Sequence, residues 1–272
     1  MIAGGGIVNN DGLGVLDHSL HVLWNGVPTH KVETGFLGSH DAVIDMKRAM
    51  GVRTVLGFMR KLLVQKTAAT STDLKMATGR ASAMRWFYWR DHHVLRLKWH
   101  NFAQVAPGVY RSNQPDMKRL KTYQKLGVKS VLNLRGESKK PFFALTQEAC
   151  DAAGMNLHTI NKLSASKAPD QAALLEIFGI FDRAERGLLI HCRSGADRTG
   201  LISTFYLVDK CGMPLAQARK HLSLRYLHIR WSASGILDMM LDDFAAVEGS
   251  KSLREWIAED YDATDLTARF KG

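Results

Sequence analysis

The chain has 272 residues, of which 46% are hydrophobic and 23% charged, as in a soluble globular protein large enough to bury a sizeable core. Its formal net charge is +11, but the segment from Lys47 to Lys98 alone carries twelve basic and two acidic residues. Because the basic excess is concentrated there, the charge does not indicate that the rest of the chain binds nucleic acid, and we predict no nucleic-acid partner.

The three cysteines are odd in number and have no Cys-x-x-Cys spacing, which argues against a disulfide framework or a zinc site. They favour a reducing compartment, and we expect a cytoplasmic protein. The sequence contains no run of about 18 apolar residues, so no membrane-spanning helix is expected. The opening MIAGGGIVNNDG has neither the basic nor the apolar part of a secretory signal, so none is expected.

Residues 1–80 are predicted to form an N-terminal extension. Residues 1–45 show no sustained periodicity and are expected to be poorly ordered, whereas 46–66 have the pattern of a basic amphipathic helix. Two interpretations of this helix stay open: peripheral contact with an anionic membrane, or loose packing on the following domain as a native or non-native extension. Its apolar residues fall on one face: Val52, Val55, Leu56, Met59, Leu62 and Leu63.

The stretch RWFYWRDHHVLRLKWHNF, residues 85–102, mixes aromatic and basic side chains. Such a mixture could stack on single-stranded nucleic acid or lie at a membrane edge. We favour a third interpretation, a helix whose Trp86, Phe87 and Trp89 dock on the domain that follows.

From Val105 onward the pattern alternates between strands and helices, which predicts an α/β fold with a central, mostly parallel sheet flanked by helices. The predicted domain spans 85–260, and 261–272 are predicted as a C-terminal tail. The predicted strands are 108–112, 129–135, 155–160 and 187–192. The predicted helices are 116–127, 145–154, 170–186, 199–212, 214–223, 233–247 and 251–260.

The segment HCRSGADRTG, residues 191–200, follows the last predicted strand and leads into a helix. A short loop with Gly195 at its bend can turn backbone N–H groups inward to bind an anion. The start of the helix near Thr199 and the guanidinium of Arg198 add positive potential. These groups would lower the pKa of Cys192 below about 8.5 and favour a thiolate nucleophile. The alternative is a buried cysteine that only packs.

The same segment matches the His-Cys-x5-Arg-Ser/Thr signature of the cysteine-dependent tyrosine and dual-specificity phosphatases. The stretch GVYRSNQP…LGVKSVLNLRGE, residues 108–137, resembles the opening of bacterial members of the dual-specificity-like group. The likeness continues through LSLRYLHIRW, residues 222–231, and covers about 85–260. It implies a tyrosine phosphatase-like fold and phosphomonoester hydrolysis through a phosphocysteine intermediate, without a metal or other cofactor.

By this resemblance Cys192 is the nucleophile and Arg198 binds phosphate in the ground and transition states. Thr199 would donate its hydroxyl to the thiolate and ease its departure. His191 would set the geometry of the loop through hydrogen bonds. The remaining phosphate contacts would come from backbone amides of the loop: Arg193, Ser194, Gly195, Ala196, Asp197 and Arg198.

The resemblance leaves the general acid open, because no clear acidic loop motif precedes the signature. Asp197 is one candidate, since some bacterial relatives are thought to use an aspartate immediately before the signature arginine. Asp170 is the other, although it fits equally well as a helix N-cap. Asp151 lies inside a predicted helix.

Arg111 and Arg135 lie near predicted strand ends and would either touch substrate or form structural ion pairs, of which we favour the second. Cys150 and Cys211 have no supporting motif and are predicted to belong to the core.

The sequence therefore predicts a protein tyrosine or dual-specificity phosphatase that acts on a phosphorylated protein. One alternative is a phosphatase for phosphoinositides or other small phosphate esters. A second alternative is a non-catalytic phospho-binding module, against which the intact Cys192, Arg198 and Thr199 argue. No oligomeric state is predicted.

Overall fold

The computed structural model of the protein describes Leu74, residues 77–184 and residues 187–272. The predicted amphipathic helix at 46–66, and with it nearly all of the predicted extension, lies outside the described residues. The segments 77–184 and 187–272 belong to one compact unit.

Five strands form one mixed sheet in the order β1-β2-β5-β3-β4. Only β1 and β2 pair antiparallel; β2 with β5, β5 with β3, and β3 with β4 are parallel. This confirms the predicted α/β fold with a mostly parallel sheet. The strands are β1 Ala103–Ala106, β2 Val109–Ser112, β3 Ser130–Asn133, β4 Asn156–Thr159 and β5 Leu188–His191.

Helices cover both faces of this sheet. In the described part of the chain they are α1 Ala77–Arg85, α2 Met117–Lys125, α3 Pro141–Ala152, α4 Gln171–Arg183, α5 Asp197–Cys211, α6 Leu215–Ala218, α7 Ile236–Ala245, α8 Leu253–Glu259 and α9 Ala263–Lys271. A π-helical turn, Trp86–Arg90, continues α1, and short 3₁₀ turns occupy His93–Arg96, Arg219–His221, Leu224–Tyr226 and Ala233–Gly235.

The central strand β5 shows how the layers form. Its side chains alternate between the two faces, as in any strand. Leu188 and Ile190 pack in the larger core with α4, α5, α7 and α8, whereas Leu189 packs with α2 and α3 on the other face. All three leucine and isoleucine side chains are buried, which explains the continuous apolar run of this strand.

The parallel register places the site. His191, the last residue of β5, pairs with Ser112 of β2 on one side and Asn133 of β3 on the other. The carboxyl ends of three neighbouring strands therefore meet at one edge of the sheet, where α/β proteins bind ligands. The segment that follows His191 leaves the sheet at the centre of that edge.

Several predictions of local structure were wrong. Strand β1 was not predicted, and α3 begins at Pro141, which suits a first helical position. The predicted helix 214–223 is a single turn followed by a 3₁₀ turn. The predicted tail contains a helix, α9, because Leu266 is buried in the larger core.

The aromatic stretch does not dock through all three of the predicted rings. Phe87 is buried, Trp86 is half-buried, and Trp89 is 59% exposed. Residues two apart on a helix do not share a face, so the turn that buries Phe87 directs Trp89 away from the domain. The prediction that all three aromatic side chains dock was therefore wrong for Trp89.

None of the helices in the described part of the chain has the length and apolar content needed to cross a bilayer.

Candidate active site

The site is the loop between β5 and α5. Cys192 is the first residue of this loop and is 1% exposed. The backbone N–H of Gly195 donates a hydrogen bond to the Cys192 sulfur at 3.2 Å. Gly195 has φ +73°, and a Cβ atom there would lie 2.7 Å from the backbone nitrogen of Asn113. The predicted bend is confirmed, and both its backbone conformation and its close packing require glycine.

The carbonyl groups of the loop are held outward by donors from other segments. The carbonyl of Arg193 accepts hydrogen bonds from Arg96 at 2.6 Å and from the backbone N–H of Gln114 at 3.2 Å. The carbonyl of Ser194 accepts from Asn101 at 3.2 Å. Because carbonyl and N–H of one peptide unit point in opposite directions, this arrangement favours N–H groups that face the sulfur.

The next carbonyl, that of Gly195, accepts from Arg111. Arg111 is fully buried, also donates to the carbonyl of His221, and lies 3.7 Å from the ring centroid of Tyr226. Burial lowers its pKa to about 10, partly offset by Tyr226 and Cys192. Arg111 therefore holds the loop from behind, as a structural cation.

Opposing effects act on the Cys192 thiol. Burial raises its pKa, whereas the charge of Arg198, the hydroxyl and amide of Thr199 and the amide of Gly195 lower it, and the net direction is downward. The geometry thus favours the thiolate. Arg198 donates to the carbonyl of Leu134 at 2.9 Å. Its buried Nε has no hydrogen-bond partner in the described part of the chain, which leaves a donor for an anion.

His191 is fully buried beside this loop. Its Nδ1 lies 3.3 Å from the carbonyl oxygen of Cys192. Burial lowers its pKa to about 3, although the hydrogen bond to Cys192 raises it, so the ring is neutral at neutral pH. A neutral, buried imidazole fits the predicted role in loop geometry, which stays a prediction.

A buried carboxylate that the sequence analysis did not assign, Asp91, organises the arginines beside the loop. It is 3% exposed and forms ion pairs with Arg96 at 2.6 Å, Arg135 at 2.7 Å and Arg193 at 3.4 Å. Burial raises its pKa, but Arg135 and Arg96 together lower this pKa by more than burial raises it, so the carboxylate stays ionised. Three guanidinium groups around one carboxylate leave excess positive charge at this side of the loop.

Arg135 thus forms structural ion pairs in this geometry, which is the role that the sequence favours over substrate contact. Besides Asp91 it bonds the side chain of Gln114 at 3.0 Å and lies 3.5 Å from the ring centroid of Phe142.

The first candidate general acid is part of a chain of three side chains. Oδ1 of Asp197 lies 2.8 Å from Nδ1 of His228, and Nε2 of His228 lies 2.6 Å from Oδ2 of Asp238. Burial lowers the pKa of His228, but the two carboxylates raise it, to about 9. Burial raises the pKa of Asp197, but His228 lowers it below its ordinary value. An imidazolium therefore lies between two carboxylates next to the loop.

The second candidate, Asp170, accepts a hydrogen bond from the backbone N–H of Ala173 at 3.0 Å. Its role as the N-cap of α4 is confirmed. Its role as a general acid stays a prediction. Of the other cysteines, Cys150 is a core residue as predicted, whereas Cys211 is exposed, so that prediction was wrong.

No group of three or more His, Cys, Asp or Glu side chains suited to a metal ion occurs among the described residues.

Comparison with known proteins places this site in context. Residues 96–205 match the model of the tyrosine phosphatase family. The chain is similar to Inositol diphosphatase DSP1 of Oryza sativa subsp. japonica, with 35% identity over 107 residues, 38% of this chain and 46% of that protein. It is also similar to OCA1 of Mycosarcoma maydis, with 30% identity over 106 residues, 38% of this chain and 65% of that protein.

Among solved structures, Pseudomonas aeruginosa TpbA aligns with 18% identity and a TM-score of 0.45, over 64% of this chain and 92% of that one. The sequence matches confirm the resemblance to cysteine-dependent tyrosine and dual-specificity-like phosphatases over the segment they cover. They do not confirm the finer assignment to bacterial members, since both relatives are eukaryotic. The chain covers less than two thirds of the length of either relative, and His228 and Asp238 lie beyond residues 96–205.

Proposed function

We propose that the protein hydrolyses phosphomonoesters through a phosphocysteine intermediate at Cys192. The single observation that carries this proposal is geometric: the buried Cys192 directly follows β5, and its sulfur accepts a hydrogen bond from the N–H of Gly195 at 3.2 Å. Arg198, Thr199 and loop amides lower the pKa of this thiol. An acidic thiol in an anion-binding loop has the arrangement of an in-line nucleophile for phosphorus.

In the first step the Cys192 sulfur attacks phosphorus, an S–P bond forms, and the bond from phosphorus to the leaving oxygen breaks. Arg198 and the loop amides bind the phosphoryl oxygens as negative charge builds on them. The leaving oxygen takes a proton. In the second step water attacks phosphorus, the S–P bond breaks, phosphate leaves, and the Thr199 hydroxyl stabilises the departing thiolate.

The proton for the leaving oxygen comes, in this proposal, from Asp197 acting together with His228. Asp197 is a carboxylate at neutral pH, since its pKa lies below the already acidic ordinary value of an aspartate, and it therefore holds no proton of its own to donate. The imidazolium of His228 holds a proton 2.8 Å away, and its pKa of about 9 keeps that proton in place at neutral pH. Asp197 would pass this proton to the leaving oxygen.

For the substrate we propose a phosphorylated protein, in the first place one with phosphotyrosine. The tyrosine phosphatase family model over 96–205 supports this class. An inositol phosphate or another small phosphate ester is the second candidate. It is favoured by the name of the rice relative and by the cationic cluster of Arg96, Arg135 and Arg193 beside the loop. A cytoplasmic location is proposed on the three free cysteines.

The test is hydrolysis of p-nitrophenyl phosphate by the wild-type protein and by Cys192→Ser. We expect the variant to lose at least about a thousandfold in kcat, since the serine hydroxyl is not ionised at neutral pH. Cys150→Ser, in the core away from the loop, is the matched control and should keep turnover. Equal rates for the wild type and Cys192→Ser would exclude Cys192 as the nucleophile, and equal rates no faster than the uncatalysed reaction would leave a phospho-binding module.

A further inference from the structure

The exposed large hydrophobic side chains of the described chain are concentrated in two segments. Of eleven such side chains, nine lie in residues 89–102 and 224–231, and only Leu126 and Leu175 lie elsewhere. The nine are Trp89 59%, Val94 37%, Leu95 72%, Leu97 43%, Phe102 37%, Leu224 57%, Leu227 57%, Ile229 41% and Trp231 78% exposed. Single exposed apolar residues are ordinary, but a concentration of this kind marks an interaction surface.

Both segments border the phosphate-binding loop. The side-chain amide of Asn101 donates to the carbonyl of Ser194 in the loop at 3.2 Å and to the carbonyl of Tyr226 at 3.0 Å. Residues 98–102 of the first segment, together with Arg225 and Tyr226 of the second, line one groove of about 400 Å³. We call residues 89–102 and 224–231 together the rim surface.

The charge of the rim surface has one sign. Its single acidic residue is Asp91, which is buried and paired with arginines. Arg90, Lys98 and Arg225 are exposed, and Arg230 is exposed and pairs with Asp242. The exposed side of the rim surface therefore combines aromatic and aliphatic side chains with cations and presents no acid of its own.

Three residues of the rim surface, His92, Asn101 and Leu227, have positive φ angles. Leu227 has φ +59°, a left-handed conformation that is unfavourable for a residue other than glycine. Its backbone is held there by the hydrogen bond from its N–H to the carbonyl of Leu224. The strained turn presents two leucine side chains, Leu224 and Leu227, to the outside.

We propose that the rim surface docks on an anionic lipid bilayer and thereby brings the mouth of the active site to the membrane. Apolar side chains that enter the interface, ringed by cations that meet anionic headgroups, are the combination that such a surface binds. An acidic protein partner would meet the same cations. The choice of a bilayer rests on the spread of large aromatic and aliphatic side chains over two segments with no interspersed exposed acid.

The test is co-sedimentation of the full chain with phosphatidylcholine vesicles, with and without phosphatidylglycerol. The rim pair, Leu95→Gln with Leu224→Gln, removes one exposed leucine from each segment. The matched control is Leu126→Gln with Leu175→Gln, the two exposed leucines outside the rim surface. All proteins keep residues 46–66, so any binding through that segment is common to them.

We expect the wild type and the control pair to bind anionic vesicles, and the rim pair to bind them roughly tenfold or more weakly. Binding should fall with added salt and be weak on phosphatidylcholine alone. Equal binding by all three proteins would overturn the proposal. So would loss of turnover on a phosphotyrosyl peptide by the rim pair with unchanged vesicle binding, which would assign the surface to a peptide. A lower melting temperature of the rim pair, with no vesicle binding by the wild type, would assign it to residues 1–73 of this chain.

The docking surface and the phosphatase activity can be tested independently of each other. Cys192→Ser should bind vesicles like the wild type, because sedimentation needs no turnover. If the wild type fails to hydrolyse p-nitrophenyl phosphate but the rim pair still loses vesicle binding, the proposed function fails and the docking surface remains. If the wild type hydrolyses p-nitrophenyl phosphate but the rim pair binds vesicles as well as the wild type does, the phosphatase remains and the docking surface fails.

Discussion

At the scale of single residues, two buried cysteines show what the environment does to a thiol. Burial raises the pKa of Cys150 to about 12, with the charge of Asp151 adding to the effect. Cys192 is also buried, yet its pKa is lowered, because Arg198, Thr199 and the loop amides outweigh the cost of burial. The protonated thiol is thus favoured at Cys150 and the thiolate at Cys192, and the surrounding dipoles and charge decide which.

The proposed role of His228 predicts a change in the pH dependence of turnover. The imidazolium is protonated below about pH 9, so the wild-type rate on phenyl phosphate, which has a poor leaving group, should fall only above that pH. In His228→Asn no imidazolium supplies the proton. Asp197 recovers an ordinary carboxyl pKa, the alkaline limb moves to acid pH, and kcat at neutral pH falls about a hundredfold.

The control for this measurement is His158→Asn, a partly buried histidine of β4. Its profile should match that of the wild type. On p-nitrophenyl phosphate, whose leaving group needs little protonation, His228→Asn should lose little activity. Identical pH profiles for His228→Asn and the wild type on phenyl phosphate would exclude the pair as the proton source.

At the scale of elements, the loop after β5 takes its shape from its neighbours as well as from its own residues. Its carbonyl groups are bonded by Arg96 from a 3₁₀ turn, Asn101 from the segment before β1, and Arg111 from β2. The sheet register places these donors around the loop. A change that displaces any of these neighbours should move the amides relative to the sulfur.

Gly195→Ala tests this packing. Both its φ of +73° and the 2.7 Å approach to Asn113 N oppose a side chain, so the loop must shift. A misplacement of the order of 1 Å costs about a hundredfold in rate, and we expect a loss of that size in kcat/KM on p-nitrophenyl phosphate.

Gly154→Ala is the matched control, since Gly154 has φ +61° and nothing within 4 Å of the added Cβ. Both substitutions strain the backbone, but only Gly195→Ala should lose activity. Similar losses in stability with similar turnover in the two variants would mean that the loop tolerates a side chain at 195.

At the scale of the whole molecule, the C-terminal helix α9 completes the larger core. Leu266 is 1% exposed within that core, and Arg269 pairs with Asp243 of α7 at 2.5 Å. The hydroxyl of Tyr261, just before α9, donates to the carbonyl of Pro169 at 2.8 Å, next to the start of α4. The last residues are therefore packed into the same unit that carries the site.

Leu266→Ala should accordingly lower the free energy of unfolding by about 2–5 kcal/mol, because it removes buried methyl groups and leaves a cavity. Urea denaturation followed by circular dichroism measures this change. Leu126→Ala, at a 47% exposed position, should change it by about 0.5 kcal/mol or less. A loss as small for Leu266→Ala would mean that α9 contributes little to the fold.

The sequence by itself determined the features that depend on neighbours along the chain. Cys192, Gly195, Arg198 and Thr199 lie within eight residues, so a strand followed by a tight loop and a helix brings them together without any knowledge of the tertiary structure. The N-cap at Asp170 and the alternation of strands and helices are local in the same sense.

Only the tertiary structure decided which distant residues surround that loop. Asp91 and Arg111 lie about 100 and 80 positions before it, and His228 lies 31 positions after Asp197. The contact of Arg111 follows from the strand order β1-β2-β5-β3-β4, which places β2 beside β5 although two strands separate them in the chain. Spacing along a chain does not encode such an order, because it results from burying the two faces of the sheet together.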